Sequence, residues 1–406
     1  MNFDIHKIRA DFPVLSQTVY GKPLIYFDNG ATTQKPKDVI EKVTRLFAEQ
    51  YSSIHRGVHY LSEQSTEMYE NARHTVQNYV NARFSQEIIF TSGATGSINA
   101  IAFSFGEKYV NEGDEIIISG MEHHSNIVPW QMMCERKKAQ LKVIPFTQDG
   151  ELRLDVFKTM LNKRTKLVAV NHVSNTLGTI NPVKEIVEIA HSASIPVLID
   201  GAQAIQHACV DVQELDCDFY VFSGHKVYGP TGIGVLYGKE QWLNDLPPYQ
   251  GGGDMVDCVT FEHTTYNVLP FKFEAGTSNF VSAIGMGTAL DYLQSLGLEK
   301  IAEYEHQLLL YATEKLKAID GLRIYGNARD KISIISFLVD NIHPYDMGMI
   351  LDKMGIAVRT GSHCTQPLLE QYNIEGTIRA SMVFYNTFEE VDYFVEAVKK
   401  AKMMLS

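Results

Sequence analysis

The sequence predicts an α/β protein, with a large domain built on a mostly parallel sheet between helices and a smaller α+β domain after it. Two observations carry this. Through the middle of the chain, short and nearly continuous apolar runs alternate with helical patterns, as strands covered on both faces require. From about residue 295 the pattern changes to a long amphipathic helix, a strand and a final capped helix.

Taken in order, residues 87–90 read as a strand, and the turn Thr91-Ser-Gly-Ala-Thr95 after it opens a helix. The apolar runs 115–119, 166–170, 197–200, 219–222 and 233–237 read as buried strands, with 182–192 as one of the covering helices. Gly251-Gly252-Gly253 is a flexible spacer, and the segment from there to about Pro270 reads as a protruding hairpin. Residues 298–319 form a long helix pattern and 331–339 a strand pattern. Thr387-Phe-Glu-Glu390 has capping-box spacing and opens a helix with Val391, Phe394, Val395 and Val398 on one face. The expected division is a large domain over 21–294 and a small domain over 295–406, with residues 1–20 packing on the small domain.

The length of 406 residues leaves ample material for such cores. A net charge of −12 argues against nucleic acid or an anionic membrane as the main partner. No apolar run approaches the roughly 18 residues of a spanning helix, and the first residues lack the apolar core of a signal peptide. The five cysteines, at 134, 209, 217, 258 and 364, include no Cys-x-x-Cys pair, so neither a disulfide framework nor a zinc ribbon is indicated. The expected setting is a soluble protein of the reducing cytoplasm.

The most informative stretch is Asp218 to Gly232, a buried strand ending in Ser223-Gly-His225-Lys226. Such a strand delivers its lysine to the interior or a cleft, where burial disfavours the ammonium and frees the amine as a nucleophile. The run 196–203 similarly ends in Asp200 and then Gln203. A carboxylate and a lysine at two strand ends suit pyridoxal phosphate, the aspartate holding the ring proton and the lysine carrying the aldehyde. The N–H groups that open the helix at Ala94-Thr95 could hold the phosphate, although an ordinary helix cap is the better reading of that turn by itself. No carboxylate or cysteine stands at ligand spacing from His123-His124, so no metal is expected. Cys364 lies in a Gly-Ser-His-Cys-Thr-Gln-Pro loop, where His363, Arg359 and backbone N–H groups favour a thiolate. The other four cysteines sit in regular patterns and read as buried, inert thiols.

Arg9-Ala-Asp-Phe-Pro-Val-Leu15, His55-Arg-Gly57, Met121-Glu-His-His124, Asn126-Ile-Val-Pro-Trp130, Phe273-Glu-Ala-Gly-Thr277 and Arg359-Thr-Gly-Ser-His-Cys364 extend the pattern over nearly the whole chain. On these residues it resembles the fold-type I pyridoxal phosphate enzymes and, within them, the cysteine desulfurases of the SufS/CsdA group. The resemblance implies a seven-stranded sheet and a cofactor joined covalently to Lys226. Ala94, Thr95, Ser223 and His225 would hold the phosphate, Asp200 the ring nitrogen and Gln203 the phenolic oxygen, with His123 stacked on the ring. Arg379, Asn175 and Arg359 would bind the substrate carboxylate or order the site. Thr277 would reach the phosphate of a neighbouring subunit, making the active unit a homodimer, with His55 and Arg56 near the shared boundary and the hairpin on the dimer surface.

The implied reaction takes L-cysteine to L-alanine and leaves a persulfide on Cys364. That sulfur would pass to a small acceptor of SufE or SufU type for iron–sulfur cluster assembly, with selenocysteine lyase as a side activity. Two departures stand out: Ala94-Thr95-Gly96 replaces the usual Thr-Thr-Glu, and Ser362 stands where histidine is frequent. An aminotransferase or a silent scaffold on the same fold is the rival reading. The Arg-x-Gly-x-His-Cys364 motif argues against the first, and the presence of Lys226, Asp200 and Cys364 against the second.

Overall fold

In the computed structural model, which describes residues 4–405, the apolar runs assemble into one sheet of seven strands. In chain order these are β1 (Ile88–Thr91), β2 (Glu115–Ser119), β3 (Gln140–Ile144), β4 (Thr165–Asn171), β5 (Val197–Asp200), β6 (Phe219–Ser223) and β7 (Gly234–Gly238). Their order in space is β1-β7-β6-β5-β4-β2-β3. Neighbours from β6 to β3 pair in parallel, and β7 runs against both β1 and β6. Every residue of β1, β2, β5, β6 and β7 is buried, which is why these segments show no polar alternation. Each fully buried side chain such as Ile117, Val168, Ile199 or Phe222 contributes about 1.5–3 kcal/mol.

Helices cover both faces. On one side α1 (Tyr60–Tyr79) turns Tyr69, Ala72 and Val76 inward, against the cluster that holds Ile117, Val168 and Ile199. On the other, α2 (Ala94–Tyr109) packs Ile98, Ile101 and Phe105 onto Ile116, Ile118 and Leu198. A third helix, α3 (Phe280–Leu296), lies close to α1: a Cβ on Gly287 would come within 3.1 Å of Ala72. The expected hairpin is present as Val256–Val259 paired with Thr264–Tyr266, mostly exposed.

The C-terminal part holds α4 (Leu298–Lys317) and an antiparallel sheet of β8 (Leu322–Tyr325), β9 (Ile334–Val339), β10 (Arg359–Gly361) and β11 (Thr377–Ser381), ordered β8-β9-β11-β10. The last helix is α5 (Phe388–Leu405). Its capping box forms: Glu390 N–H donates to Thr387 Oγ1 at 3.2 Å and Thr387 N–H to Glu390 Oε2 at 3.1 Å. The β9 strand is shorter than the 331–339 pattern suggested. Ile332 donates to the Gly178 carbonyl and Lys331 bridges Thr179, so the first residues of that pattern are committed to a loop of the large sheet.

The chain's beginning touches both regions. Ile25–Tyr26 pairs in parallel with Ile356–Ala357, and Ile25 and Phe27 join the core formed by Leu308, Leu316, Val391 and Phe394. Phe12 packs edge-on against Tyr228 and Phe384, and Arg9 binds the Tyr385 carbonyl and Glu390. Residues 1–3 lie outside the described residues. Cys134 and Cys217 are buried as expected, but Cys209 and Cys258 are exposed. Cys258 belongs to the solvent-facing hairpin, and Cys209 to the point where the chain resurfaces after the buried turn at 201–207.

Candidate active site

The parallel strands deliver side chains to one end of the sheet, beyond their carboxyl termini, where open α/β sheets form their ligand clefts. Asp200 ends β5, and Ser223-Gly-His-Lys226 follows β6 as a single tight turn. His123 follows β2, Asn171 ends β4 with Asn175 just beyond, and Ala94 and Thr95 open α2 after β1. All of these line one cavity, and Gln203, His225, Arg359, His363, Cys364 and Arg379 close it. Arg359 and Arg379 come from β10 and β11, so the cavity lies between the large sheet and the C-terminal one.

Lys226 and Asp200 define the centre. Burial lowers the Lys226 ammonium to about 8; Asp200 and Cys364 oppose the shift and Arg379 adds to it. Burial likewise raises the Asp200 carboxyl, against the Ala202 N–H at 3.0 Å and the charge of Lys226. Asn171 stands opposite Asp200 in the parallel ladder. Its N–H donates to Glu122 at 2.8 Å, a buried carboxyl that also receives Ser119 and Asn126 and that burial pushes up to about 8.

At the helix opening, the Ala94 N–H donates to Ser223 Oγ at 2.8 Å, joining the ends of β1 and β6. Gly93 makes this possible. Its φ of +145° suits glycine, and a Cβ there would meet Ser223 Oγ at 3.3 Å. Gly96 has a local explanation too, because a Cβ at that position would lie 2.6 Å from Ser92 Oγ. Thr95 Oγ1 lies 2.7 Å from Ser125 Oγ, which is 3.0 Å from His123 Nδ1. The Ser125 N–H donates to the same Nδ1, so the His123 ring proton sits on Nε2. Burial, then the nearby Lys226, hold His123 down to about 3, and it is neutral at physiological pH.

The arginines share one counter-ion. Arg359 and Arg379 are cross-strand partners, an arrangement that is repulsive by itself, and Asp28 lies 3.7 Å from the first and 3.4 Å from the second. Arg379 is buried and donates to the Asn175 carbonyl at 2.8 Å.

The Cys364 loop is strained and heavily tethered. His363 and Cys364 both have left-handed backbone, φ 52° and 58°, which costs on the order of 1–3 kcal/mol per residue and requires compensation nearby. Asn175 Nδ2 donates to the His363 carbonyl at 2.8 Å, and the His124 N–H donates to the Cys364 carbonyl at 2.9 Å. Thr365 and Thr176 hydroxyls meet at 2.8 Å. The expectation that His363 lends charge to the thiol is corrected here. Burial and the nearby Arg379 hold its imidazole down to about 3, and it bonds Thr377 instead.

Thr277 does not reach the cavity within a single chain, and His55 binds Glu70 at 3.2 Å rather than the site. Asp28, Glu122, Asn171 and the His124 backbone were not foreseen. Each acts through a partner remote in sequence, and only the acidic residue beside Asn29-Gly30 after a short strand offered any signal.

The groups present fit pyridoxal phosphate. The Gln203 amide is held at one end by the Gly30 carbonyl at 2.6 Å, while its other end has no partner. Asn175 Oδ1 and Arg379 Nε are also buried and unpartnered among the described residues. Buried polar atoms without partners are costly and call for a ligand. Asp200 suits a protonated ring nitrogen, and the α2 opening with Ser223 suits a phosphate.

Residues 25–394 match the aminotransferase class-V family. The chain belongs to this family. Among class-V relatives, a cysteine desulfurase of Escherichia coli is 50% identical over 406 residues, the full length of both chains. One of Synechococcus elongatus is 49% identical over 400 residues, and there the chain spans 64% of the relative's length. The crystal structure of the cysteine desulfurase CsdA from Escherichia coli superposes with a TM-score of 0.93 at 37% identity, covering all of both chains. The class-V family to which the chain belongs thus includes these cysteine desulfurases, and its cofactor is pyridoxal 5'-phosphate.

Proposed function

We propose that this class-V protein is a cysteine desulfurase that takes L-cysteine to L-alanine and collects the sulfur on Cys364. The observation that carries the reading is the convergence of Lys226, Arg379 and Cys364 on one cavity, with Asp200 at its base. When bound, pyridoxal phosphate supplies an electron sink for charge developing at the substrate α-carbon.

Lys226 holds the cofactor and, once the substrate amine has replaced it, accepts the α-proton at Nζ. A lysine lowered to about 8 is substantially unprotonated at mildly alkaline pH. Arg379 binds the substrate carboxylate through its planar fork, and Asn175 supports that contact. Asp200 would keep a ring proton in place, Gln203 would meet the phenolic oxygen, and Ala94, Thr95, Ser223 and His225 would hold the phosphate. His123, neutral with its proton on Nε2, would stack on the ring and offer that N–H as a hydrogen-bond donor. Cys364 Sγ, as thiolate, forms an S–S bond to the substrate sulfur while the substrate Cβ–S bond breaks. The bonding pair stays with the three-carbon fragment, which is protonated and leaves as L-alanine, and the persulfide remains on Cys364.

The finer reading is a homodimer of SufS type in the cytoplasm, delivering sulfur to a SufE- or SufU-like acceptor for cluster assembly, with selenocysteine lyase as a side activity. Thr277 standing outside its own cavity supports a second copy. So do the exposed Phe47, Tyr51, Val58 and Tyr60. Among the described residues no helix is long and apolar enough to cross a membrane.

The test supplies L-cysteine and a reductant and compares the native protein with Cys364→Ala. The native protein should yield alanine and persulfide. The variant should keep the near-visible absorbance of the lysine-bound cofactor and yield neither. Equal turnover by both would remove Cys364 from the reaction.

A further inference from the structure

The half-buried segment that follows Ile25–Tyr26 contains a cation with no part in the chemistry above. Lys35 Nζ donates to the His225 carbonyl at 2.9 Å and to the Thr33 carbonyl at 2.6 Å. The same His225 carbonyl receives the Thr33 N–H at 3.2 Å and the hydroxyls of Thr32 and Thr33, both at 3.1 Å. Thr33 Oγ1 also receives the Tyr228 N–H at 3.0 Å. Four donors thus surround one carbonyl oxygen, and that carbonyl belongs to the peptide bond that enters Lys226. An ordinary turn carbonyl needs one or two donors.

The other end of the segment reaches the rest of the site. Asp28 pairs with Arg379, and the Gly30 N–H donates to Ser381 Oγ at 2.7 Å. The Gly30 carbonyl accepts the Gln203 amide. One short stretch of chain therefore touches the carboxylate clamp, the cofactor-facing amide and the lysine turn.

We infer that Lys35, together with Thr32 and Thr33, is a positioning residue that fixes the Lys226 peptide and so aims the amine at its target. The inference rests on Lys226 being the lysine that carries the cofactor. A surface lysine would not do this work. Lys35 is half-buried, and partial burial is the cause that holds its ammonium down to about 7, so its two carbonyl bonds stand where solvation is reduced. Charge-assisted donors are also the stronger ones. Lys226 itself faces Asp200, Arg379 and Cys364 and does not meet Lys35 directly. The effect passes through the His225 carbonyl.

The test uses the cofactor-loaded protein and the variants Lys35→Met, Lys35→Arg and Thr32→Val, with Lys226→Ala as control. Two readouts are followed besides turnover: the rate of cofactor release into buffer, and the pH at which the lysine–cofactor absorbance band interconverts. Lys35→Met should release cofactor about tenfold faster or more, as expected for losing a charge-assisted bond, and should move the interconversion pH. Lys35→Arg should restore both in large part, and Thr32→Val should give a smaller change of the same sign. Release and interconversion unchanged in Lys35→Met and Thr32→Val would overturn the inference. If Lys35→Met fails to fold, Thr32→Val decides alone. A native protein without the band, or a band that survives in Lys226→Ala, would instead overturn the assignment of Lys226.

Discussion

The His124 backbone N–H donates to the Cys364 carbonyl at 2.9 Å, across 240 positions of sequence. The Gln366 N–H returns the contact to His124 Nε2 at 3.4 Å. With Asn175 on the His363 carbonyl and Thr176 on Thr365, the loop that holds the nucleophile is fastened to the large sheet although it grows from the small one. Two consecutive left-handed residues persist because these contacts outweigh their strain. The loop is aimed by the large sheet.

Thr365→Val tests that aim. Thr365 and Thr176 are both fully buried, so the valine leaves the Thr176 hydroxyl without its partner, a cost of about 1–3 kcal/mol. Single-turnover persulfide formation should slow by about tenfold, because a misplaced nucleophile loses its near-attack geometry. The lysine–cofactor absorbance should not change. An unaltered rate would show that the loop holds its course without this pair.

Arg379→Lys should raise KM for L-cysteine and lower kcat/KM by roughly 10- to 100-fold, the loss expected when a forked charge-assisted contact becomes a point contact. The Asn175 carbonyl loses its donor as well. Steady-state kinetics settle it, and a KM within twofold of the native value would assign the carboxylate to Arg359.

Much of this was legible because the sheet is buried on both faces. Five apolar runs announced β2, β4, β5, β6 and β7 with ends within a residue or two, and Asp200 and Lys226 declared themselves by terminating two of them. Cys364 was visible through its unusual loop. What stayed hidden was pairwise. Asp28 serves Arg379 from 351 positions away, and no local pattern encodes that distance. His363 beside Cys364 suggested a cation, but burial overrides adjacency and leaves the imidazole neutral. The exposed Cys258 was misread because a strand pattern does not say whether its thiol side faces the core, and Cys209 because the chain there leaves the buried turn for the surface.

Acid should weaken the cofactor-free protein through its buried imidazoles. Burial holds His363 and His123 down to about 3 and His225 to about 4, whereas in the unfolded chain each titrates near ~6.5. As pH falls from about 6.5 toward 4, the unfolded state takes up protons that the native state refuses, so stability falls with pH across that window. Urea titrations at pH 7.5 and 5 measure the drop, and His363→Gln should reduce it by removing one such group. An identical pH dependence in that variant would exclude His363 as a contributor.

The last prediction concerns the ion pair that ties α1 to the segment leading to Thr277. Arg73 binds Glu274 through two parallel bonds of 2.7 and 2.9 Å, and both side chains are almost wholly buried. Glu274 also accepts the Phe90 N–H at 2.7 Å and the Tyr69 hydroxyl at 2.9 Å, while Arg73 reaches Glu70 and the Ile88 carbonyl. The pair therefore holds the entry to β1, and through Glu70 it touches His55. Glu274→Gln removes the charge but little volume. The Arg73 guanidinium then stays buried with only Glu70 as counter-ion, which should destabilise the fold by about 3–5 kcal/mol. The double change Arg73→Met, Glu274→Gln withdraws both charges and should recover part of that loss, because the penalty lies in the unpaired ion rather than in the missing bond. Urea unfolding of the native, single and double variants forms the cycle. If the double variant is less stable than Glu274→Gln by the full cost of Arg73→Met, the two residues act independently, and the ion pair does not explain the order of this segment.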